Sequence, residues 1–416
     1  MRILFFVRER HPTFRVDVTV LFGKYLSRFG VASDLVTLRE SGKGPRGGAW
    51  GGGEVFGPAA GGGRLRTHLA ALLNDFRGLA RIGPGYDLVL VRDKPLFTLW
   101  AWLVARLRGV PFAYWMSFPL PESALEFARE RGLSIGPLRW LVVSARGLLS
   151  YWTLYKVVLP RADVVFLQSD EMLRILQARG IRMRHAVPVP MGVDREAIER
   201  IMGREPGVID PRAAQWLARA RAAETIVYLG TVEENRRLEL ALEAFRSVLR
   251  ARPEALFLII GDADEPGDIE KLKALAAELG VARRVIFTGW LDMDTAWQLV
   301  RAARVGFSPC PRGVLYDVAS PTKAVEYMAL GLPVVANDLP DQAFVIGRSG
   351  GGLCTPLDPD AFAAAMIELL SDPQAARRRG QAGRQWALEN RNYERLVTLV
   401  RDEMLAVVPA GEIERA

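Results

Sequence analysis

Short, uninterrupted apolar runs alternate with helix-length amphipathic segments along this chain. Ile3–Val7, Leu88–Val91, Phe112–Trp115 and Val164–Leu167 contain nothing polar and read as strands buried on both faces. After the first comes a stretch in which Val18, Phe22, Tyr25 and Phe29 recur three or four apart, the spacing of a helix with one buried face. The same rhythm resumes at Ile226–Leu229, Leu256–Ile260, Val285–Thr288, Val305–Ser308 and Pro333–Ala336. Strand–helix alternation predicts an α/β fold of parallel sheets covered by helices, and two such series predict two doubly wound, Rossmann-like domains. Between them, from Met191-Gly192-Val193-Asp194 to about Glu224, the chain is polar and carries Gly203, Pro206, Gly207 and Pro211. A hinge is placed there, near residue 194. Ligands of open parallel sheets bind beyond the carboxyl ends of the strands, so two such domains facing each other would enclose a deep cleft.

Residues 42–63 hold eleven glycines around Trp50 and Phe56. They lack the Gly-Lys-Ser/Thr ending and the strand-to-helix setting of a phosphate loop. The segment reads as a mobile insertion, with a lid beside an acceptor site as the alternative.

Composition narrows the picture. The 416 residues suit two domains or three, and half of them are hydrophobic, as in an ordinary globular chain. Two cysteines, Cys310 and Cys354, and three histidines, His11, His68 and His185, argue against a disulfide framework, a multi-cysteine zinc site or a histidine-rich metal centre. With no neighbouring base, both cysteines read as packing residues. The excess of 55 basic over 47 acidic side chains suits nucleic acid, an anionic membrane or a phosphorylated small molecule. No nucleic-acid motif is present to use it. Charges at Arg8, Glu9 and Arg10 end the first apolar run too early for a secretory signal, and no uncharged apolar stretch is long enough to cross a membrane. A cytoplasmic protein is expected.

The most informative motif runs from Ala319 to Ala336, Ala-Ser-Pro-Thr-Lys-Ala-Val-Glu-Tyr-Met-Ala-Leu-Gly-Leu-Pro-Val-Val-Ala. Ser320 reads as an N-cap and Pro321 as the first helical residue. The amides of Thr322 and Lys323 then sit free at a helix N-terminus, ready for an anion. Glu326 lies one turn on, beside Lys323, and can accept two hydroxyl donors, as the acidic residues of dinucleotide folds do. A capped surface helix with a Lys323–Glu326 pair is the plainer reading. A second constellation is Tyr228-Leu229-Gly230-Thr231, which closes a strand. Asn235 then reads as the cap of a helix opening with Arg236 and Arg237 and burying Leu238, Leu242, Phe245 and Leu249. Gly230 permits close approach of a ligand, and either arginine can fork onto a phosphate. Two anion-ready loops in one domain point to a diphosphate.

On these residues the chain resembles retaining glycosyltransferases of the GT-B fold, family 4 (group 1). Glu326 matches the second glutamate of the family's Glu-seven-residues-Glu motif, Gly331-Leu332-Pro333-Val334-Val335 the strand that follows, and Arg236 the family's phosphate-binding lysine. Gly261, and Gly289 with Trp290 near the base pocket, fall where the family places donor contacts. Ala162-Asp163, Gln168-Ser169 and Val189–Asp194 resemble the end of its N-terminal domain. Three positions depart. The first glutamate falls at Val318, with Asp317 out of register; the phosphate arginine falls at Thr231; and the N-domain histidine is replaced by Met116-Ser117-Phe118.

The resemblance implies a GT-B chain with an acceptor-side domain over residues 1–194, a nucleotide-sugar domain over 195–393, and a C-terminal helix, about 394–416, returning to the first domain. It implies transfer of a hexose or N-acetylhexosamine from a nucleotide-diphosphate sugar by front-side attack, without a metal or other cofactor. Arg236, Lys323 and Glu326 would act catalytically. Gly230, Thr231, Arg237, Gly261, Gly289, Trp290, Ser320, Pro321 and Thr322 would bind the donor. A UDP-hexosamine is the first candidate donor and GDP-mannose the next. A weakened protein that only binds nucleotide sugar, and a UDP-sugar epimerase, stay open as alternatives.

Arg8, Arg10, His11 and Arg15, after the first strand, read as ordinary loop residues or as contacts to an acceptor phosphate, with Ser117 as a further acceptor-side candidate. Arg92 and Asp93 read as a local salt bridge. Asp262-Ala263-Asp264 and Asp292-Met293-Asp294 mimic a metal-binding Asp-x-Asp but read as turns or caps. Leu138 to Leu159 carries four aromatic residues with Arg139, Arg146 and Lys156. It reads either as a buried helix or as an interfacial one that brings the protein to an anionic membrane and a lipid-linked acceptor.

Overall fold

The computed structural model describes residues 1–13, 15–40, 50–59, 61, 63–203, 211–263 and 265–409. The chain divides into two compact units, Met1–Pro190 with Tyr393–Ala416, and Met191–Asn392.

The first unit is built on a seven-stranded sheet: β1 (Arg2–Phe6), β2 (Ala32–Val36), β3 (Val55–Phe56), β4 (Leu88–Arg92), β5 (Phe112–Met116), β6 (Val164–Leu167) and β7 (Ala186–Pro188), ordered β3-β2-β1-β4-β5-β6-β7. The second has a six-stranded sheet: β8 (Glu224–Leu229), β9 (Ala255–Ile260), β10 (Val285–Phe287), β11 (Val305–Ser308), β12 (Val334–Asn337) and β13 (Gly352–Thr355), ordered β10-β9-β8-β11-β12-β13. Every pairing is parallel. Phe5 sits opposite both Leu35 and Leu90, so an apolar run flanked by apolar runs forms the unit's centre. Strand order reverses between β1 and β4 in the first sheet and between β8 and β11 in the second. These two switch points, at the carboxyl ends of the strands, are where doubly wound sheets take their ligands.

The predicted strands are all present, and β2, β3, β7 and β13 add to them. The Val18–Phe29 stretch is helical, but Asp17–Leu26 winds as a π-helix. The polar linker after residue 194 is not irregular where it is described. Helices Arg195–Gly203 and Pro211–Ala222 occupy it and bury Ile198, Ile201, Ala213 and Ala220 in the core of the second unit. The last helix, Tyr393–Ala406, packs on the π-helix and buries Tyr393, Val397, Val400 and Met404 in the first unit's core.

Part of the glycine-rich segment also departs from the expectation of a mobile insertion. Trp50 is buried and donates its indole N–H to Ser33 Oγ at 3.1 Å, while β3 pairs with β2. A Cβ on Gly57 would lie 1.6 Å from the Thr37 carbonyl oxygen, so glycine is required for β3 to approach β2. Residues 41–49, 60 and 62 of this segment lie outside the described residues.

Leu138 to Leu159 is split in burial. Helix Pro137–Tyr151 leaves Leu138 74% and Leu148 61% exposed, and Trp152 is 57% exposed, whereas Leu154, Tyr155, Val158 and Leu159 are buried. The buried reading therefore holds for Thr153, Leu154, Tyr155 and Val158 of the π-helical continuation Trp152–Val158, not for the helix before it.

If the last helix is integral to the first unit, Met404→Ala, which empties a fully buried site, should lower stability by about 2–5 kcal/mol. Urea unfolding should show the loss in one unit's transition; an unchanged midpoint would mean the helix contributes nothing.

Candidate active site

The second unit gathers its charged candidates where β8, β9 and β10 end. Gly230, at the end of β8, has φ +150° and donates its amide to the Ile260 carbonyl at 2.9 Å. A Cβ on Gly230 would sit 3.3 Å from the Lys323 ammonium, and one on Gly261 would sit 1.9 Å from the Gly230 carbonyl oxygen. Both positions need glycine because two loops and an ammonium meet there. Lys323 Nζ lies 5.0 Å from the centre of the Tyr228 ring. Arg236 donates from Nε to Thr231 Oγ1 at 3.0 Å, and Tyr228 Oη donates to the Thr231 carbonyl at 2.8 Å. Thr231, where the resemblance expects an arginine, thus orients one. The Gly261 amide donates to the Gly289 carbonyl at 3.2 Å, and Trp290 next to it is 52% exposed.

Three details of the sequence reading change. Asn235 does not cap a helix: Glu234–Arg236 form a single 3-10 turn, Arg237 takes a left-handed conformation at φ +55°, and the helix starts at Leu238. Arg237 pairs with Glu239, away from Arg236. Ser320 is not the N-cap either, because Pro321 flanks helix Thr322–Ala329 and no side chain caps it. The Ser320 hydroxyl is buried; it donates to Asp341 Oδ2 at 2.7 Å and accepts from the Met191 amide at 2.9 Å. Arg391, also buried, donates to Asp341 Oδ1 at 2.5 Å, and its carbonyl accepts from the Val193 amide at 2.7 Å. Ser320 therefore ties the helix start to the two places where the chain passes between units. The Thr322 and Lys323 amides remain uncapped by side chains, as an anion site requires.

Electrostatics mark the same helix. Burial and the Arg236 guanidinium lower the Lys323 pKa to about 8. Burial raises the Glu326 pKa to about 7, opposed by Lys323. Glu326 is 7% exposed and forms no hydrogen bond among the described residues, which leaves its oxygens to a ligand. Asp317 does not replace the glutamate missing at Val318: it pairs with Arg312 at 2.7 Å and Val318 is buried. Cys310 is a packing residue whose amide donates to Asn337 Oδ1, with its thiol pushed up by burial. Asp292 caps the helix Met293–Arg301 and Asp294 pairs with Arg200, in keeping with caps rather than a metal site. Asp264 lies outside the described residues.

In the first unit Arg92 is far more than half of a local pair. Fully buried, it pairs with Glu9 at 2.6 Å, Asp17 at 2.7 Å and Asp93 at 3.4 Å. Asp93 in turn accepts from the Ser117 amide at 2.9 Å and from its hydroxyl. Ser117 is 1% exposed, so its expected place beside an acceptor is corrected: the hydroxyl serves Asp93. His11 packs edge-on against Trp50, and burial with Arg39 nearby lowers its pKa, so it is neutral near pH 7 and is not one of the cations. Arg15 stacks on Phe118 at 5.3 Å, and Arg8 borders a cavity. Reading of the sequence missed Asp17, Lys94, Asp75, Asp341 and Arg391, whose partners lie far along the chain.

Residues 223–372 match the family described as Glycosyl transferases group 1, and residues 18–192 match the Glycosyl transferase 4-like domain. A GDP-mannose-dependent alpha-(1-6)-phosphatidylinositol monomannoside mannosyltransferase of Mycolicibacterium smegmatis is 31% identical over 194 residues, 42% of this chain and 47% of that protein. A glycogen synthase of Mycobacterium tuberculosis is 28% identical over 203 residues, 47% of this chain and 46% of that protein. The chain thus spans about half the length of the curated relatives it matches. In fold, it is similar to a sucrose-phosphate synthase from Thermosynechococcus elongatus, with TM-score 0.69 and 18% identity over 97% of this chain and 99% of that one. It is also similar to Anabaena HepE solved with UDP-glucose, with TM-score 0.66 and 16% identity over 98% and 100%.

Glu326 should trade stability for binding. Its folded pKa lies above its unfolded value, so wild-type stability falls as pH rises from about 4.5 to about 7. Glu326→Gln should raise the thermal midpoint by a few degrees at pH 8 and leave it unchanged near pH 5. The same variant should weaken nucleotide binding at pH 8. For the wild type, affinity should rise as Glu326 ionises through about 7 and fall as Lys323 loses its proton through about 8. Calorimetric titrations with UDP and GDP across this range, beside melting curves, check both; a pH-independent gain in melting temperature would remove Glu326 from this account.

Proposed function

The chain belongs to the group 1, family 4 glycosyltransferases of the GT-B fold, and from that premise we propose that it moves a hexose from a nucleotide-diphosphate sugar to a lipid-linked or glycan acceptor with retention. The observation that carries this reading is the convergence of Gly230, Arg236, Lys323 and the open amides of helix Thr322–Ala329 around one point, with the unpartnered Glu326 carboxyl one turn behind. Gly230 admits the diphosphate to the backbone. Arg236 and Lys323 neutralise the charge that grows on the leaving phosphate, the electrostatic term that dominates many such reactions. Glu326 accepts hydroxyl groups of the donor. The acceptor oxygen attacks the anomeric carbon on the face from which the nucleoside diphosphate departs. Its proton passes to the leaving phosphate oxygen as the carbon–phosphate-oxygen bond breaks. Two cations and a helix terminus supply the positive charge, so the reaction proceeds without a metal ion. Relatives named for GDP-mannose and neighbours solved with UDP-glucose bracket the donor, and a nucleotide-diphosphate hexose is the class they share. The relatives are named as a mannosyltransferase and a glycogen synthase, which favours neither the scaffold nor the epimerase alternative.

The acceptor reaches the protein at a membrane surface in this reading. Exposed apolar side chains form faces on three helices of the first unit: Arg64–Leu79, with Leu65, Leu69 and Leu73; Phe97–Leu107, with Trp100 and Leu107; and Pro137–Tyr151, with Leu138 and Leu148. Phe76 and Trp100 lie 6.4 Å apart between ring centres, and the second helix packs on Trp152–Val158 after the third, so the faces adjoin. Asp75, paired with Lys94, is the one acidic residue in these helices, while Arg66, Arg77, Arg106, Arg139 and Arg146 are exposed. An apolar face rimmed by arginines suits an anionic lipid surface. No helix among the described residues is long and apolar enough to cross a membrane.

Two measurements test these readings. Incubated with lipid extract and a panel of UDP- and GDP-hexoses, the protein should release nucleoside diphosphate and form a glycosylated product of retained anomeric configuration, equally well with EDTA. Arg236→Ala should lower turnover by about a hundredfold or more. Wild-type turnover in that variant, or inverted product, would refute the mechanism. Flotation with vesicles should show binding to phosphatidylglycerol but not to phosphatidylcholine, weakened by Leu69→Glu with Leu138→Glu; equal flotation of that variant would refute the membrane face.

A further inference from the structure

A cavity of about 290 Å3 opens in the first unit beside the β1/β4 switch point. Arg8 and Arg10, from the loop after β1, and Lys94, just past β4, line it, together with His68, Asn74 and Asp75 of helix Arg64–Leu79. This is the place in a doubly wound sheet where a ligand is expected on topological grounds alone.

The charges around the cavity do not balance. Lys94 is almost buried and pairs with Asp75 at 2.5 Å, so the one carboxylate of the wall is already matched. Burial and the nearby Arg8 guanidinium both lower the Lys94 pKa, and burial raises that of Asp75 against the pull of Lys94. Asn74 turns its amide to the Thr37 and Phe56 carbonyls at 3.2 and 3.1 Å, which fixes the wall and leaves no acid there. Arg8 and Arg10 are exposed and have no hydrogen bond or ion pair among the described residues. The neighbouring loop carboxylates are taken elsewhere, since Glu9 and Asp93 pair with the buried Arg92. Two free guanidinium forks and a partly desolvated ammonium thus face a cavity where Arg8, Arg10 and Lys94 against Asp75 sum to a positive charge of about two.

We propose that this cavity binds a phosphate ester of the acceptor, held by the forks of Arg8 and Arg10 over the Lys94–Asp75 pair. The proposal rests on the glycosyltransferase reading for the word acceptor, and on the first unit alone for the site. A phosphate ester offers more oxygens than a carboxylate, a monoester also more charge, and each guanidinium can take two oxygens at once. Selection follows from the same groups: a neutral sugar would leave the three cations repelling one another.

The test reads binding, so it does not depend on turnover. Glucose 6-phosphate, as a free sugar phosphate, and dihexanoyl-phosphatidylglycerol below its micellar concentration, as a lipid headgroup, are titrated at low ionic strength into the full-length protein. Glucose and glycerate serve as neutral and carboxylate probes. At least one phosphate ester should bind and shift the His68 ring signals, and the tighter of the two identifies the source. Arg8→Gln with Arg10→Gln should weaken that binding about tenfold or more, whereas Arg250→Gln, which removes a charge from an exposed helix of the other unit, should leave it unchanged. UDP and GDP binding to the double variant should match the wild type, showing that it is folded. Failure of both phosphate esters to bind, equal binding of glycerate, or wild-type affinity in the double variant would each overturn the proposal. Phosphate binding without sugar transfer would instead sink the glycosyltransferase reading and leave the cavity's specificity standing.

Discussion

Much in the second unit depends on holding a lysine beside an arginine. Lys323 lies against the bare backbone of Gly230, and both its burial and the Arg236 guanidinium work against its charge. No side chain among the described residues compensates fully, since Glu326 shares the helix but is itself held toward its neutral form. A site with two crowded cations is poorly satisfied until an anion arrives, and that imbalance is a reason to bind one. The surrounding construction keeps the cations from relaxing apart. Thr231 fixes Arg236 through its hydroxyl, Tyr228 fixes Thr231 and underlies Lys323, and the contact between Gly261 and Gly230 excludes any side chain between the loops.

The start of the lysine's helix is held from behind by a different means. Ser320, Asp341 and Arg391 form a buried hydrogen-bonded group that also grips the Met191 amide and, through the Arg391 carbonyl, the Val193 amide. Such a group is costly to leave partly satisfied, so its members tend to keep or lose their geometry together. Residues next to both crossings of the chain between units are thereby bonded to the residue two places before the uncapped helix. In the first unit Arg92 has a comparable task, gathering Glu9, Asp17 and Asp93 and, through Asp93, Ser117. Loops after β1, β4 and β5 are joined by one guanidinium. The polar residues nearest the switch point are consequently divided between a closed structural cluster and a small set at the cavity, Arg8 and Arg10 with the Lys94–Asp75 pair.

That division explains what could be read from the chain before its fold was known. Strands such as Ile3–Val7 and Leu256–Ile260 are legible because burial on both faces demands an unbroken apolar run. Gly230, Arg236, Lys323 and Glu326 are legible because they sit within a few residues of a strand end or a helix start, where local rules apply. Ser320 was misread by the same local rules: a serine before a proline resembles a cap until Asp341 and Arg391, distant in sequence, claim its hydroxyl. Ser117 failed as an acceptor contact for a like reason, since its partner Asp93 belongs to the neighbouring strand's loop. Residues 50–59 resembled a loose insertion by composition, yet Trp50 and Val55 are buried and the glycines allow β3 to lie close to β2. Composition cannot distinguish glycine used for freedom from glycine used for lack of space.

The departures from the family pattern can be weighed by the same physical test. Losing a ligand group matters less when a neighbour's geometry changes to cover it. At Thr231 the side chain is smaller and uncharged, but it bonds the guanidinium five residues on, so the loop still presents one oriented fork. No such substitution occurs at Val318. Its side chain is buried, Asp317 is turned to Arg312, and no carboxylate takes the absent one's place among the described residues next to it. The two changes therefore act on different parts of the donor. In the proposed site the phosphate end keeps its cations, whereas the sugar end loses an acceptor of hydrogen bonds. On the proposed donor reading, binding energy accordingly concentrates at the diphosphate, where the charges that develop during transfer also reside, and discrimination among sugars comes from groups other than the missing glutamate.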